Sequence, residues 1–299
     1  MEQGQLNGEQ WLAWRRQQLA LGGRPAAFDW LVDMAAGVSW QRQQQLRLHP
    51  RQPVRLTCEL PRIEALWRCH LETAEPLQYL VGRCPWRDLE LAVGPGVLIP
   101  RQETELLVEL ALGLAPACPD RWADLGTGSG CLALALALAW PTSRGIAVDR
   151  CSVALQQAAH NLERGGVNGR VQVRQGSWWQ PLRPWWGALE LVVSNPPYIP
   201  TAVWAALDPV VREHEPALAL DGGADGLDAL RAIAKGAAVA LAPGGLLLLE
   251  HHHDQSEAVM ALLAAAGLEQ VQAHVDLEGH RRFATARHGL SQQDTSDGV

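Results

Sequence analysis

The stretch Arg-Trp-Ala-Asp-Leu-Gly-Thr-Gly-Ser-Gly (121–130) runs directly into the apolar segment Cys131–Trp140. A short hydrophobic strand that ends in a glycine turn and opens a helix is the repeating unit of parallel α/β sheets. Gly126, Gly128 and Gly130 allow close backbone approach to a ligand, and the helix N-terminus adds N–H donors and a positive dipole end. The stretch therefore predicts a ligand-binding turn at the carboxyl end of a strand, and it includes Thr127 and Ser129 as candidate binding residues.

The glycine turn alone does not identify the ligand. A nicotinamide-binding turn has the spacing GxGxxG, whereas this turn reads GxGxG and has Cys131 where the third glycine would fall. One strand later, Gly-Ile-Ala-Val-Asp (145–149) ends in Asp149, which is placed to accept hydrogen bonds from ribose hydroxyls. Because several cofactors carry a ribose, Asp149 indicates a nucleoside without saying which one. Asp149 could instead cap the helix that begins near Ser152.

A third motif, Leu-Val-Val-Ser-Asn-Pro-Pro-Tyr (191–198), places an amide, two prolines and an aromatic ring directly after a hydrophobic strand. Asn195 offers a carbonyl acceptor, and Pro196 and Pro197 hold the backbone rigid while their carbonyls stay free to accept. Tyr198 can cover a flat amide or base. Such an edge suits the presentation of an –NH₂ group to an electrophilic methyl group, so S-adenosylmethionine becomes the favoured cofactor.

From Trp122 onward, strand-like and helix-like segments alternate, which predicts an α/β fold with a parallel, doubly wound sheet. Two final strands with a short connection at 276–280 predict one antiparallel edge pair. This is the seven-stranded arrangement of Rossmann-like methyltransferases, in which ligands lie at the carboxyl ends of the strands. The predicted segments are strands 122–125, 145–149, 170–174, 188–194, 245–250, 270–275 and 281–286, and helices 102–114, 130–140, 152–164, 226–241 and 254–266.

Four segments before residue 74 have apolar spacing closer to 3.6 than to 2, which predicts a small all-helical domain. Ser39 is a plausible N-cap there, although Arg42 replaces the acidic or amide residue of a full capping box. We therefore expect a helical, substrate-docking domain at 1–74, a linker hairpin at 75–95, a methyltransferase domain at 96–288 and a disordered tail at 289–299.

Composition excludes several classes of function. The net charge of −7 and the lack of a basic stripe argue against stable nucleic-acid binding. The apolar segment Gly130–Trp140 is much shorter than the roughly 20 residues of a membrane span. Residues 1–10 contain no Lys or Arg, so no signal peptide is expected. Six scattered cysteines without a CxxC pair indicate buried thiols in a reducing compartment, and we expect a cytoplasmic protein.

These motifs resemble the PrmC/HemK family of protein-(glutamine-N(5)) methyltransferases. The resemblance extends from Glu75 to about Arg282 and rests on several motifs in the family's order. They are Glu-Pro-Leu-Gln-Tyr-Leu-Val-Gly (75–82), Gly-Val-Leu-Ile-Pro-Arg-Gln-Glu-Thr-Glu (96–105), Asp-Leu-Gly-Thr-Gly-Ser-Gly (124–130), Ser-Asn-Pro-Pro-Tyr-Ile (194–199), Glu-Pro-Ala-Leu-Ala-Leu (215–220) and Leu-Leu-Leu-Glu-His (247–251). Asn-Pro-Pro-Tyr alone would be less specific, because DNA and RNA amino-methyltransferases share it.

The resemblance implies methylation of the glutamine in the Gly-Gly-Gln loop of peptide chain release factors, with S-adenosylmethionine as the cofactor. It implies that Asn195, Pro196 and Tyr198 are catalytic, that Pro197 joins them in binding the substrate, and that Trp178 packs on the adenine. Three positions depart from the family's usual residues: Gln102, Pro85-Trp86 and His252-His253.

Several alternatives remain open. Trp178 could be a core residue beside Trp179. Glu103 and Glu105 could form a solvated helical turn, or they could belong to a pocket wall, since the resemblance suggests that the segment Leu98–Glu105 helps wall the methionine and glutamine pockets. The run His251-His252-His253 resembles a set of metal ligands, but successive residues leaving a strand point to alternate sides, so no metal site is expected. The rival functions are an adenine amino-methyltransferase acting on DNA or RNA and a non-catalytic nucleoside-binding scaffold.

Overall fold

The computed structural model describes residues 6–115 and 118–290, and the chain forms two compact units. The first unit comprises the chain up to Arg83 together with Pro209–His214. The second unit comprises Cys84–Asp208 and the chain from Glu215 onward. Most of the tail predicted at 289–299 lies outside the described residues.

The first unit is helical. Its helices before Arg83 are α1 (Gly8–Ala20), α2 (Pro25–Ala36), α3 (Trp40–Leu48), α4 (Leu60–Thr73) and α5 (Leu77–Val81). Large aromatic rings fill its core. Each ring contacts the next in the series Trp11, Trp14, Phe28 and Trp67, and the centroids of neighbouring rings are 5.0 to 5.6 Å apart. The predicted N-cap of α3 is confirmed, since Ser39 Oγ accepts the Arg42 N–H at 3.2 Å.

A seven-stranded sheet forms the centre of the second unit. Its seven strands are β3 (Arg121–Leu125), β4 (Arg144–Asp149), β5 (Val171–Gln175), β6 (Leu189–Ser194), β7 (Leu241–Glu250), β8 (Glu269–Val275) and β9 (Arg281–Arg287). The two strands that precede them, β1 (Arg83–Trp86) and β2 (Leu89–Ala92), pair with each other as a separate hairpin. The remaining helices in chain order are α6 (Glu105–Leu114), α7 (Cys131–Ala139), α8 (Ser152–Arg164), α9 (Thr201–Trp204), α10 (Pro209–Arg212), α11 (Ala217–Leu220), α12 (Asp228–Ala240) and α13 (Ser256–Ala265), and α10 belongs to the first unit.

The sheet has the strand order β5-β4-β3-β6-β7-β9-β8. The first five of these strands run parallel, and β9 pairs antiparallel with both β7 and β8. The predicted α/β class and the antiparallel pair at one edge are confirmed. Because β3 lies between β4 and β6, the chain changes direction across the sheet at β3, and the carboxyl ends of these strands form the crevice where such sheets bind ligands.

Hydrophobic side chains cover both faces of the sheet. On β6, Leu191 and Val193 pack with residues of α6 and α7, whereas Val192 packs on the opposite face with residues of α12 and α13. A central parallel strand is buried on both faces, so it reads as a continuous apolar run rather than an alternating one. Among the described helices, none is long and apolar enough to cross a membrane.

Several strands and helices in the structure differ from those predicted from the sequence. β7 begins at Leu241 rather than at residue 245, because the sequence Pro243-Gly244-Gly245, which resembles a turn, is part of the strand. Residues 77–81, in the range predicted as a linker hairpin, form α5, which ends at Gly82 in the left-handed conformation. The short helices α9 to α11 were not predicted, since four residues are too few to show a period.

A glycine in β4 allows close packing against a tryptophan, and this generates a stability prediction. A Cβ built on Gly145 would overlap the ring of Trp122, which is fully buried on the neighbouring strand. We expect Gly145→Ala to lower the free energy of unfolding by about 1–3 kcal/mol through overpacking, measured by urea denaturation. The matched control is Gly169→Ala, where the new Cβ would meet no described atom within 4 Å. Equal stability of the two variants would contradict this packing argument.

Candidate functional site

The turn between β3 and α7 brings backbone to the crevice. Gly126, Gly128 and Gly130 all have left-handed backbone conformations, with φ of 72°, 54° and 81°. The Gly126 and Thr127 N–H groups donate to the Val148 carbonyl at 2.8 and 2.9 Å, which fixes the turn against β4. A Cβ on Gly130 would lie 3.0 Å from Ala158 of α8, so this glycine serves helix packing. By contrast, a Cβ on Gly128 would meet no described atom within 4 Å, so this part of the turn is open.

Asp124 lies buried beneath the turn. Thr127 Oγ1 donates to its Oδ2 at 2.6 Å, while Oδ1 has no hydrogen-bond partner among the described residues. Burial raises the pKa of this carboxyl to about 7; the Thr127 hydrogen bond opposes the shift, and the Asp149 charge adds to it. Sequence reasoning did not single out Asp124, although it stands at the end of the strand directly before the glycines.

Asp149 stands at the end of β4 and faces the turn. Its Oδ2 accepts the Gly128 N–H at 3.0 Å, and its Oδ1 accepts the Cys151 N–H at 2.8 Å. Helix α8 begins at Ser152, and its N-cap residue is Cys151 rather than Asp149. Each carboxylate oxygen has further lone pairs, so Asp149 can still accept hydrogen bonds from a ligand.

Trp178 and its neighbour have different environments. Trp178 has a positive φ of 47°, and its ring carbon lies 3.4 Å from a Cβ built on Gly126, so the indole stands beside the glycine turn. Trp179 is buried, and its Nε1 donates to the Ile233 carbonyl at 2.9 Å. Trp178 therefore lines the crevice, and Trp179 packs in the core.

The Asn-Pro-Pro-Tyr segment follows β6 at the same edge. Ser194 Oγ donates to the Leu125 carbonyl at 2.6 Å, which joins the ends of β6 and β3. Asn195 and Pro197 face the crevice, and Pro196 is buried. The Tyr198 hydroxyl donates to Glu250 Oε1 at 3.0 Å, and burial raises the pKa of this phenol far above its ordinary value.

A buried polar chain lies behind Asn195. Asn195 Nδ2 donates to Thr104 Oγ1 at 2.8 Å, and Thr104 Oγ1 donates to Glu250 Oε2 at 2.7 Å. Glu250 is 1% exposed, and desolvation raises its pKa to about 7 against the hydrogen bonds from Thr104 and Tyr198, which favour the charged form. Thr104 and Glu250 both lie within the family motifs. Thr104 belongs to the segment 98–105, which the resemblance suggests as a pocket wall, whereas no role was predicted for Glu250.

These features surround one cavity of about 440 Å³, a size typical of small-molecule sites. Its lining joins the glycine turn and the Asn-Pro-Pro-Tyr segment, and every lining residue belongs to the second unit. Of the residues predicted from the sequence, those that line the cavity are Gly126, Thr127, Gly128, Ser129, Asp149, Trp178, Asn195 and Pro197. The predicted residues Gly130, Pro196 and Tyr198 are outside this lining.

The segment at 98–105 supplies another wall. Leu98, Pro100, Arg101 and Thr104 line the cavity. Arg101 pairs with the buried carboxylate of Glu215 at 2.7 Å, and the same carboxylate accepts the Ile99 N–H at 3.1 Å.

The acidic residues of this segment and the positions that depart from the family pattern lie outside the lining. Glu103 is exposed, and Glu105 instead accepts the Arg87 N–H at 3.0 Å. Gln102 is exposed, and Trp86 is buried with its Nε1 donating to the Arg101 carbonyl at 2.7 Å. None of these four residues lies on the cavity-facing surface of the wall.

The histidine run makes local contacts rather than a common set of ligands. His251 Nδ1 lies 2.8 Å from the His252 carbonyl, and His252 Nδ1 lies 2.6 Å from Asp254. The His253 ring packs against His280, with centroids 5.3 Å apart.

The chain matches the family model of the methyltransferase small domain over residues 102–274. It is 48% identical to the release factor glutamine methyltransferase of Prochlorococcus marinus over 94% of this chain and 97% of that relative. The enzyme of the same name from Gloeobacter violaceus is 45% identical over 84% of this chain and 87% of the relative. The one from Synechocystis is 38% identical over 96% and 99%. Agreement across nearly the whole length of these relatives establishes the family: the chain belongs to the release factor glutamine methyltransferases, and it is a methyltransferase of the seven-stranded α/β class.

Proposed function

We propose that this protein binds S-adenosylmethionine in the cavity and transfers its methyl group to the side-chain amide nitrogen of the Gly-Gly-Gln glutamine of peptide chain release factors. The observation that carries this proposal is the meeting of two different surfaces in one cavity. The glycine turn, Asp149 and Trp178 suit a nucleoside, and Asn195 and Pro197 suit an amide. The names of the relatives supply the substrate protein.

The residues fit the cofactor. The open face at Gly128 allows close approach of the methionine part, and Asp149 retains lone pairs for ribose hydroxyls. The Trp178 ring beside the turn can stack on an adenine. The cofactor supplies a methyl group on a positively charged sulfur, which is already activated for transfer.

The protein's contribution is alignment and exclusion of water. An amide nitrogen is a weak nucleophile because its lone pair is delocalised. Asn195 donates its own NH₂ to Thr104, so its Oδ1 is left to accept a hydrogen bond from the substrate NH₂ and to direct the nitrogen. A substrate nitrogen that gains the methyl group would become acidic and would pass its proton to solvent water, so this chain needs no strong base beforehand.

The first test compares substrate classes. Purified enzyme with radiolabelled S-adenosylmethionine is incubated separately with a release factor, with RNA and with DNA. Incorporation of label into the release factor alone supports the proposal. Labelling of nucleic acid would instead support an adenine amino-methyltransferase, and no turnover with any of the three would support a nucleoside-binding scaffold.

We expect Asn195→Ala to lower turnover by at least about 10²-fold while leaving S-adenosylmethionine binding within a few-fold, because it removes an orienting acceptor. Single-turnover rates and calorimetry give the two quantities. Near-normal turnover would refute the proposed role of Asn195.

We expect Asp149→Ala to have the opposite pattern and to weaken cofactor binding by about 1.5–3 kcal/mol, because charge-assisted hydrogen bonds to the ribose are lost. The variant also frees the Gly128 N–H, which adds to the loss. Calorimetric titration measures the affinity, and turnover at saturating cofactor serves as the control. An unchanged affinity would mean that Asp149 serves only to hold the turn.

We further propose that the helical unit docks the body of the release factor, because it supplies no residue to the cavity lining yet exposes large apolar side chains on α3. Trp40 is 62% exposed and Leu48 is 76% exposed. Binding energy from such remote contacts raises kcat/KM for a large substrate only.

Replacement of Trp40 and Leu48 by Ser should therefore lower kcat/KM for intact release factor by at least about tenfold and leave the rate with a free Gly-Gly-Gln peptide unchanged. The control is Leu277→Ser, which likewise replaces an exposed apolar side chain by serine, at a leucine of the second unit that is 92% exposed. Equal efficiency of the wild-type enzyme on peptide and intact protein would show that no docking occurs.

A further inference from the structure

Glu250 is buried at the end of β7 and touches the site only through other residues. In the parallel pairing of β6 and β7, Ser194 lies opposite Leu249, so Asn195 and Glu250 leave the sheet side by side. Glu250 does not line the cavity, whereas Thr104 and Asn195 do. A carboxylate without exposure is costly unless its lone pairs are used, and here hydroxyl protons from Thr104 and Tyr198 reach its two oxygens.

The single proton of the Thr104 hydroxyl fixes the direction of the hydrogen bonds that link Asn195, Thr104 and Glu250. A threonine hydroxyl carries one proton, and Thr104 donates it to Glu250 Oε2. Thr104 Oγ1 can then only accept, so the group of Asn195 that faces it must be the NH₂, as the 2.8 Å contact from Nδ2 shows. The Asn195 amide therefore has one permitted orientation, with Oδ1 turned away from Thr104.

The local structure at α6 supports this reading. Thr104 occupies the N-cap position of α6, where a threonine side chain ordinarily accepts a backbone N–H of the first turn. Among the described residues its hydroxyl makes no such cap. It is used instead for the bonds to Glu250 and Asn195, at the expense of a stabilising contact to the helix.

We propose that Glu250 is a positioning residue for methyl transfer: its charge, relayed through the Thr104 hydroxyl, holds the Asn195 amide with Oδ1 toward the substrate nitrogen. The inference rests on the proposed function of Asn195 as an acceptor for the substrate NH₂. It adds that the orientation of that acceptor is set by a carboxylate that never touches substrate or cofactor.

Glu250→Gln tests the charge with almost no change of shape. A glutamine NH₂ can donate to Thr104 Oγ1, whose proton is then free to turn toward Asn195, and the amide loses its single orientation. We expect kcat on release factor to fall by at least about tenfold, with KM for S-adenosylmethionine within about twofold of wild type. Because the change removes a buried charge, the melting temperature at pH 8 should be unchanged or higher.

The hydroxyl is tested separately. Thr104→Val, which is nearly isosteric, should lower kcat to a similar extent, and Thr104→Ser, which restores a hydroxyl, should recover most of it. The matched control is Thr285→Val. Thr285 is also a buried threonine, but it lies in β9 outside the cavity lining, and its hydroxyl is 2.8 Å from His274 Nε2. This control should keep wild-type kcat.

The pH dependence provides a further readout. The charged and titratable groups around Glu250 are Glu103 before α6, Cys131 at the start of α7, Tyr198 after β6 and Arg282 on β9. Since only the ionised carboxylate fixes the direction, kcat of the wild type should fall as the pH is lowered through the neutral range. The residual kcat of Glu250→Gln should not show this fall over the same pH range.

The possible results distinguish a failure of the positioning role of Glu250 from a failure of the proposed function. If the wild type methylates release factor and both Glu250→Gln and Thr104→Val retain kcat within about twofold, or if Thr104→Ser fails to recover it, the positioning role is overturned and the proposed function stands. If the wild type transfers no methyl to release factor, the proposed function fails, and the inference fails with it.

Discussion

The carboxyl ends of β3, β4 and β6 meet at one edge of the sheet, and the rest of the site depends on this constraint. Parallel strands of similar length must stop together, so the residues that follow them are brought close whatever their separation along the chain. Three hydrogen bonds hold the edge together. The Val148 carbonyl accepts both N–H groups that open the glycine turn, and the Leu125 carbonyl accepts the Ser194 hydroxyl. A nucleoside surface and an amide surface consequently share one cavity.

Behind that edge the protein contains two buried carboxyls, Asp124 and Glu250, each with a pKa raised to about 7 by desolvation. Raised carboxyl pKa values mean that the folded state binds more protons than the unfolded chain between roughly pH 4 and 7, so these two groups reduce stability as the pH rises across that window. Buried acids that weaken the fold at neutral pH need another explanation for their presence. At Glu250 we find it in the fixed orientation of Asn195, which a neutral side chain would not enforce.

Much of this arrangement could be predicted from the sequence. The alternation of strands and helices after Trp122 gave the sheet, and the position of Asp149 and Asn195 after buried strands placed them at one edge. The polar relay could not be predicted in the same way. Thr104 lies within the helix predicted at 102–114, where nothing marks it as a partner of Glu250. Glu250 follows a run of leucines and reads as the polar end of a strand. Their contact joins residues 146 positions apart, and only the packing of α6 against the end of β7 brings them together.

The central claim is that this cavity methylates one glutamine of a release factor, and the location of the methyl group tests it most directly. A purified release factor is incubated with the enzyme and S-adenosylmethionine carrying a labelled methyl group, and its peptides are then sequenced by tandem mass spectrometry. The account predicts one added methyl on the side-chain amide of the Gly-Gly-Gln glutamine, and none when that glutamine is replaced by alanine. A methyl group on any other residue, or its absence from the release factor under conditions where the enzyme binds the cofactor, would contradict it.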